Sequence, residues 1–248
     1  LFVGTFFFPG NEKQYNNQDL PNKLNLYTSE INYYLLKTCS SINDVKNFVK
    51  DINIKLTIIN NINFSLHWMV CDTKGKSVII EVLNGNVMIY ENPLNVITNS
   101  PPFPHHLKFL EENYLSISKY TIPGSCYQGT GQGDPGNFYQ LKEKAPKPGL
   151  PGDSTSPSRL IRAFFYVKSL IEPKNSNEGM ESALRILHNF DIPIGSVIDK
   201  ENNEIEVTEY TVAYSINDFK MKYAPYGYIM NNDTKSWEQT SQPVELCE

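Results

Sequence analysis

Leu150-Pro-Gly-Asp-Ser-Thr-Ser-Pro-Ser-Arg159-Leu-Ile-Arg162-Ala-Phe164 reads as a tight turn that delivers the chain into a helix. Ser156 is placed to cap the first free N–H groups, and Pro157 suits the first helical position, where its missing donor costs nothing. Leu160, Ala163, Phe164, Val167 and Ile171 then recur at i, i+3, i+4, i+7 and i+11, the spacing of one buried helical stripe. Arg159 falls in the first turn, beside the Gly152-Asp153 loop. A cation there faces the positive end of the helix dipole, an unfavourable position unless it answers an anion or a polar network. A surface arginine on an ordinary amphipathic helix is the other account of the same residues.

Outward from this helix, the strands come in groups. Leu1–Phe8 is apolar almost throughout, like a strand buried on both faces. Residues 11–27 are polar and Asn-rich, a predicted loop. Ile31, Tyr34, Leu35 and Thr38, then Ile42, Val45, Phe48 and Val49, outline two helices, the second opened by Ser41 or Asn43. Next come three strands, His67–Asp72, Ser77–Leu83 and Asn86–Tyr90. Thr73–Lys76 and the hairpin dipeptide Asn84-Gly85 join them, which predicts an antiparallel meander. Phe103, Leu107, Leu110 and Tyr114 predict a helix starting at Pro104. Thr121–Gly149 is a long loop rich in Gly and Pro.

After the Leu150–Phe164 stretch, a helix begins at Asn177–Met180 with Met180, Leu184, Leu187 and Phe190 inward. Val207–Tyr214 and Phe219–Tyr223 predict an antiparallel pair that Tyr228–Met230 extends, before a loose polar tail. Grouped strands and grouped helices indicate an α+β layered fold. A four-layer αββα sandwich fits this order, and so does a two-layer sandwich.

Several function classes fall away. A net charge of −5 without any Lys/Arg cluster leaves no basic surface for nucleic acid. No apolar run reaches the length of a membrane span. Cys39, Cys71, Cys126 and Cys247 are widely spaced, so neither a disulfide framework nor a metal site is indicated, and free thiols of a reducing compartment are expected. Asn63-Phe-Ser65 and Asn232-Asp-Thr234 are sequons that matter only in a secreted eukaryotic protein.

A His67–Cys71 dyad fails on distance, because four strand residues separate the two by about 13 Å. His67 then reads as a core histidine. His105 and His106 diverge on a helix, lack a third ligand, and are expected to face solvent. His188 ends a helix, where a cation is favoured. Asp134 has no calcium-loop spacing around it. No cofactor and no metal is expected.

The Gly149–Ala163 stretch is similar to the hallmark of the choloylglycine hydrolase and penicillin V acylase family, which are N-terminal-nucleophile (Ntn) amide hydrolases. The resemblance extends to Leu1-Phe-Val-Gly-Thr-Phe-Phe-Phe-Pro9-Gly10, Asp72-x-x-Gly75-Lys-Ser-Val-Ile-Ile-Glu81 and Asn92-Pro93-x-x-Val96-Ile-Thr-Asn99-Ser-Pro101-x-Phe103. Gly129-Thr-Gly131 follows these in the family's order.

The resemblance implies the αββα Ntn-hydrolase sandwich with antiparallel sheets, as one domain over residues 1–248. It also implies hydrolysis of a linear amide of penicillin V, N-acyl amino acid or lactone, or conjugated bile-salt type. The family's nucleophile is a cysteine at the mature N-terminus, and its own α-amino group handles the proton. None of the four cysteines matches it, so the nucleophile-bearing segment is expected upstream of Leu1. Asn99 matches the family's side-chain donor to the oxyanion, and Arg159 matches its active-site arginine. Asp153 is expected to shape the loop.

Phe7 occupies a substrate-binding position where bile-salt hydrolases of the family carry Asn and penicillin V acylases often carry Tyr. A Phe side chain offers no hydrogen bond, which points to an apolar acyl group. The expected partner is a small-molecule amide, with no nucleic acid and no membrane span. Relatives assemble as tetramers, and Lys142–Pro148 lengthens a loop that helps them do so. A noncatalytic relative that binds amphipathic amides without turnover is the second reading.

Overall fold

The structure, a computed structural model, describes residues 1–115, 120–121, 128–129, 150–198, 205–226, 228–231 and 236–239. Cys126, Asp134, Lys142–Pro148, Gly149, the Asn232 sequon and Cys247 lie outside them. The chain divides into two compact units, Leu1–Ser169 and Leu170–Glu248.

The first unit opens with β1 (Phe2–Phe7), a short 3-10 turn at Glu12–Gln14 and β2 (Leu24–Tyr27). Helices α1 (Ile31–Thr38) and α2 (Ile42–Phe48) lead to β3 (Ile52–Lys55), which pairs in parallel with β2. The two helices are therefore the crossover that a parallel pair requires. Residues 24–27, expected in a loop, form a strand because Leu24–Tyr27 finds that partner through the tertiary crossover. Ser41 caps α2 by accepting from the Asp44 N–H, and Asp44 returns the bond to the Ser41 N–H, a reciprocal capping pair.

Strands β4 (Thr57–Ile59) and β5 (Ile62–Phe64) form a hairpin around Asn60-Asn61, both at positive φ as a mirror-image turn demands. Strands β6 (Leu66–Cys71), β7 (Ser77–Leu83) and β8 (Asn86–Glu91) are the predicted meander, and β1 joins it to give the order β1-β6-β7-β8. Every pairing in this sheet is antiparallel. Asn84 and Gly85 take positive φ at the β7–β8 turn. Helix α3 (Phe103–Leu110) continues into a π-type turn at Glu111–Leu115, a short ladder pairs β9 (Tyr120–Thr121) with β10 (Gln128–Gly129), and α4 (Ser156–Lys168) closes the unit.

Alternation along the strands divides the core in two. Trp68, Val70, Val78, Ile80 and Val82 pack with Ile31, Leu35, Ile42 and Val45 of α1 and α2. Ile79 points the other way, into a cluster with Leu94, Phe103, Leu110, Leu160, Ile161, Phe164 and Phe165 from α3 and α4. The sheet thus carries helices on both faces. Strand β1 is at one edge of it rather than buried on both sides, and Phe7 is 54% exposed. Helix α4 ends at Lys168, where the Ser169 N–H bonds to Phe165 O, so Ile171 is no part of the buried stripe and is 90% exposed.

In the second unit, α5 (Ser176–Leu187) is capped by Asn175, whose Oδ1 accepts from the Glu178 N–H at 3.0 Å. Met180 and Leu184 of α5 bury against Ala213. Leu187, expected inward, is 40% exposed. That pair is β13 (Tyr210–Ser215) with β14 (Lys220–Pro225), preceded by the short ladder of β11 (Val197–Ile198) and β12 (Ile205–Glu206). Tyr228–Asn231 (β15) pairs with Ser236–Gln239 (β16), so part of the tail expected to be loose is a hairpin. Among the described residues, no helix is long and apolar enough to cross a membrane.

Candidate active site

Helix α4 does not begin as its sequence suggests. Thr155 is the capping residue, Ser156 is already helical, and neither side chain caps the helix. Asp153 organises the entry instead. Its Oδ1 accepts from the Thr155 N–H at 2.9 Å and from Thr155 Oγ1, and its Oδ2 accepts from Ser158 Oγ at 2.7 Å. Arg162 ties the same turn down, donating through Nη1 to Pro151 O at 2.6 Å and Asp153 O at 2.7 Å. The hydroxyls of Thr155 and Ser158 hold the Asp153 carboxyl well below the usual range, at about 2 against an ordinary 3.8.

A group with a depressed folded pKa adds stability that is complete above its unfolded pKa and disappears as pH falls through the folded one. The stabilising effect of Asp153 should therefore be whole above about pH 4 and fade toward pH 2. Thermal midpoints of wild type and Asp153→Asn, measured across that window, are expected to converge as pH falls. A constant gap would show that Asp153 does not shape this turn through its charge.

With the turn fixed, Arg159 projects from the first helical turn into polar partners, the condition under which a cation is tolerated at this helix end. Its Nε donates to Ser154 O at 3.1 Å, and its Nη2 donates to Ser156 Oγ at 3.1 Å and to Asn99 Oδ1 at 2.8 Å. Asn99 lies in the segment between β8 and α3, and its Nδ2 donates to Phe7 O at 2.8 Å. The three residues singled out in the sequence therefore meet: the Asn99 side chain bridges the Phe7 carbonyl and the Arg159 guanidinium. The amide orientation follows from chemistry, since guanidinium only donates and a peptide carbonyl only accepts. Phe7 O takes one of two N–H groups on Nδ2, so the plane is fixed and the second N–H has a fixed direction.

Neighbouring bonds brace the arrangement. Thr98 Oγ1 donates to Ser156 O at 3.0 Å, joining the Asn99 segment directly to α4. Ser100 Oγ donates to Pro9 O at 2.6 Å and accepts from Asn11 Nδ2 at 3.1 Å. The Phe7 ring lies 6.2 Å from that of Phe64, and Ile58, Ile59 and Ile62 of the β4–β5 hairpin are exposed apolar side chains.

Behind this layer is a polar cluster that the sequence reading missed. Glu81 is fully buried, and its Oε1 and Oε2 accept from the Phe103 N–H at 3.0 and 3.1 Å. His67 is a core histidine: its Nδ1 is 3.1 Å from Glu81 Oε1 and its ring stacks on Phe8 at 4.4 Å. His106, expected to face solvent, is 2% exposed and places Nε2 3.0 Å from Asn99 O. Helix α3 turns that side of its first turn inward, which the His105-His106 pair alone does not reveal. The signal for Glu81 was present: an acidic residue inside the apolar run Ser77–Leu83 must find partners or carry a large penalty.

The two described thiols stand apart from this centre. Cys39 is in the α1/α2 core, and Cys71 pairs with Phe2, at the opposite end of β1 from Phe7. Burial pushes the Cys71 thiol up to about 11, the reverse of an activated nucleophile. No group of three or more metal-binding side chains occurs among the described residues.

The chain is 31% identical over 235 residues to uncharacterised protein A284L of Paramecium bursaria Chlorella virus 1, covering 91% of this chain and 77% of that one. It is 29% identical over 203 residues to a bile salt hydrolase/transferase of Clostridium perfringens, covering 79% of this chain but 58% of the relative, little more than half its length.

Among solved structures, a mutant of the conjugated bile acid hydrolase from Clostridium perfringens superposes with a TM-score of 0.70 at 24% identity, covering 97% of this chain and 74% of that one. Penicillin V acylase from Agrobacterium tumefaciens gives 0.62 at 16% identity, over 91% and 60%. These likenesses show the α+β fold of Ntn hydrolases with antiparallel sheets. Residues 2–233 match the pattern of "Linear amide C-N hydrolases, choloylglycine hydrolase family". The chain therefore belongs to the choloylglycine hydrolase family of linear amide C–N hydrolases.

Proposed function

We propose that this chain carries the oxyanion and acyl-binding side of a cysteine Ntn amidohydrolase. The bridge from Phe7 O through the Asn99 amide to Arg159 is the observation that supports it most directly. In the proposed reaction a cysteine thiol at a mature N-terminus, outside residues 1–248, attacks the carbonyl carbon of a linear amide. Its proton passes to the terminal amine and then to the leaving nitrogen, the C–N bond breaks, and water hydrolyses the resulting thioester.

The second N–H of Asn99 meets the negative oxygen of the tetrahedral intermediate. Arg159 strengthens that donor in two ways. It fixes the amide plane, and by donating to Oδ1 it polarises the amide so that its N–H groups become better donors. Cys39 and Cys71 are unsuited to the nucleophile's role by position and, for Cys71, by a raised pKa.

Phe7 supports an apolar acyl group. Its exposed ring and the neighbouring Phe64 offer no hydrogen-bonding side chain, and covering one aromatic ring is worth roughly 1.5–3 kcal/mol. The test is amine release by the intact gene product from a phenoxyacetyl amide, an N-acyl homoserine lactone and glycocholate. Hydrolysis is expected, with the phenoxyacetyl amide turned over faster than glycocholate. Preference for glycocholate would overturn the role given to Phe7. Saturable binding of all three without amine release would leave a noncatalytic amide binder.

A further inference from the structure

We infer that His106 is a positioning residue: it clamps the Asn99 peptide so that the Asn99 side chain can act as a preset donor. The inference rests on the oxyanion role proposed for Asn99 and extends it to a residue that touches neither substrate nor Arg159 in the described bonds.

The ring of His106 is buried, and its one described hydrogen bond joins Nε2 to Asn99 O at 3.0 Å. A peptide carbonyl only accepts, so Nε2 carries the proton. Nδ1 has no partner among the described residues. Burial lowers the pKa of the ring, which favours the neutral form with Nε2–H and a bare Nδ1. A buried ring nitrogen without a partner is a cost that an apolar ring of the same shape would avoid. What histidine adds at this position is the Nε2–H on Asn99.

The helix that holds the ring is itself anchored. Glu81, on the adjoining strand, accepts from the first N–H of α3 at Phe103, and His67 braces Glu81. Between Asn99 and Phe103 lie only Ser100, Pro101 and Pro102, and the two prolines restrict the backbone. His106 thus reaches back over a short, stiff link to the residue at its start. Ser100 is held from the other side through Pro9 O. With its peptide held at both ends, Asn99 extends its side chain to Phe7 O and Arg159. Displacement of a reacting or stabilising group by about 1 Å is enough to lose on the order of 10²-fold in rate.

The experiment compares wild type, His106→Phe, His106→Gln and Asn99→Ala in the intact gene product, with turnover expressed per folded molecule. His106→Phe keeps the ring volume and removes the donor, so kcat should fall by about 10- to 100-fold with KM within about twofold. His106→Gln can present an amide N–H near the former Nε2 and should recover most of the lost kcat. If His106→Phe does not fold, His106→Met takes its place.

A second readout does not depend on activity: the Nδ2 amide pair of Asn99 in a ¹H–¹⁵N spectrum. It should be well dispersed in wild type and His106→Gln, and fall at random-coil positions in His106→Phe. Asn99 signals that stay dispersed in His106→Phe overturn the inference, whatever the turnover. Loss of turnover in Asn99→Ala with full activity in His106→Phe overturns it while leaving the proposed function standing. Absence of hydrolysis in wild type removes the proposed function, and the spectra alone then decide the clamp.

Discussion

Arg159→Ala in the intact gene product is expected to lose turnover by on the order of 10²- to 10³-fold while the fold survives, the scale seen when one preset oxyanion contact is removed. The guanidinium holds Asn99 Oδ1 and Ser156 Oγ through one nitrogen and Ser154 O through another. Without it the Asn99 amide keeps only its bond to Phe7 O, can rotate, and loses the polarisation that sharpens its donor. Helix α4 should remain, because Leu160, Ile161, Phe164 and Phe165 bury its other face. The Asp153 and Arg162 bonds at its entry do not involve Arg159. Arg159→Lys should recover little, since a compact ammonium cannot span the directions that the planar fork serves. The measurement is kcat/KM beside the thermal midpoint, and wild-type turnover in Arg159→Ala would remove the residue from the site.

The largest expected effect on stability comes from Glu81→Ala, at about 3–5 kcal/mol, the scale for breaking a buried charged network from one side. The substitution leaves the Phe103 N–H and His67 Nδ1 without their acceptor and opens a void between β7 and α3. Since whole domains are stable by only about 5–15 kcal/mol, denaturant unfolding should show a much lower midpoint. Glu81→Gln keeps the volume and a carbonyl acceptor, and should lose about 1–3 kcal/mol, the cost of imperfectly satisfying a buried donor. A loss below about 1 kcal/mol for Glu81→Ala would show that water or the backbone replaces the carboxylate at no great cost.

Glu81 also illustrates how far the residues alone could be read. The meander strands were legible because each depends on neighbours a few positions away: alternating apolar residues, and Asn84-Gly85, whose positive φ values suit a two-residue hairpin. The helix after Pro157 was legible for the same reason. Its ends were not. Ser156 has the composition of a cap, but the Asp153 carboxylate organises the turn and leaves Ser156 to accept from Arg159. Strand β2 is not legible locally because its partner, β3, is reached only after two helices. Periodicity carries the stripe on to Ile171 because it holds no information about where the last carbonyl finds its donor.

The sequence by itself determined the meander, the main helices and, through motifs in a fixed order, the family. All are recorded in local spacing, which the chain cannot change without changing its residues. Only the tertiary structure decided that Asn99, Arg159 and the carbonyl of Phe7 share one hydrogen-bonded bridge. It alone decided that His106 and Glu81 lie behind that bridge rather than in water. Hydrogen bonds between segments dozens of residues apart depend on how the sheet and helices pack, and no periodicity along the chain encodes that packing.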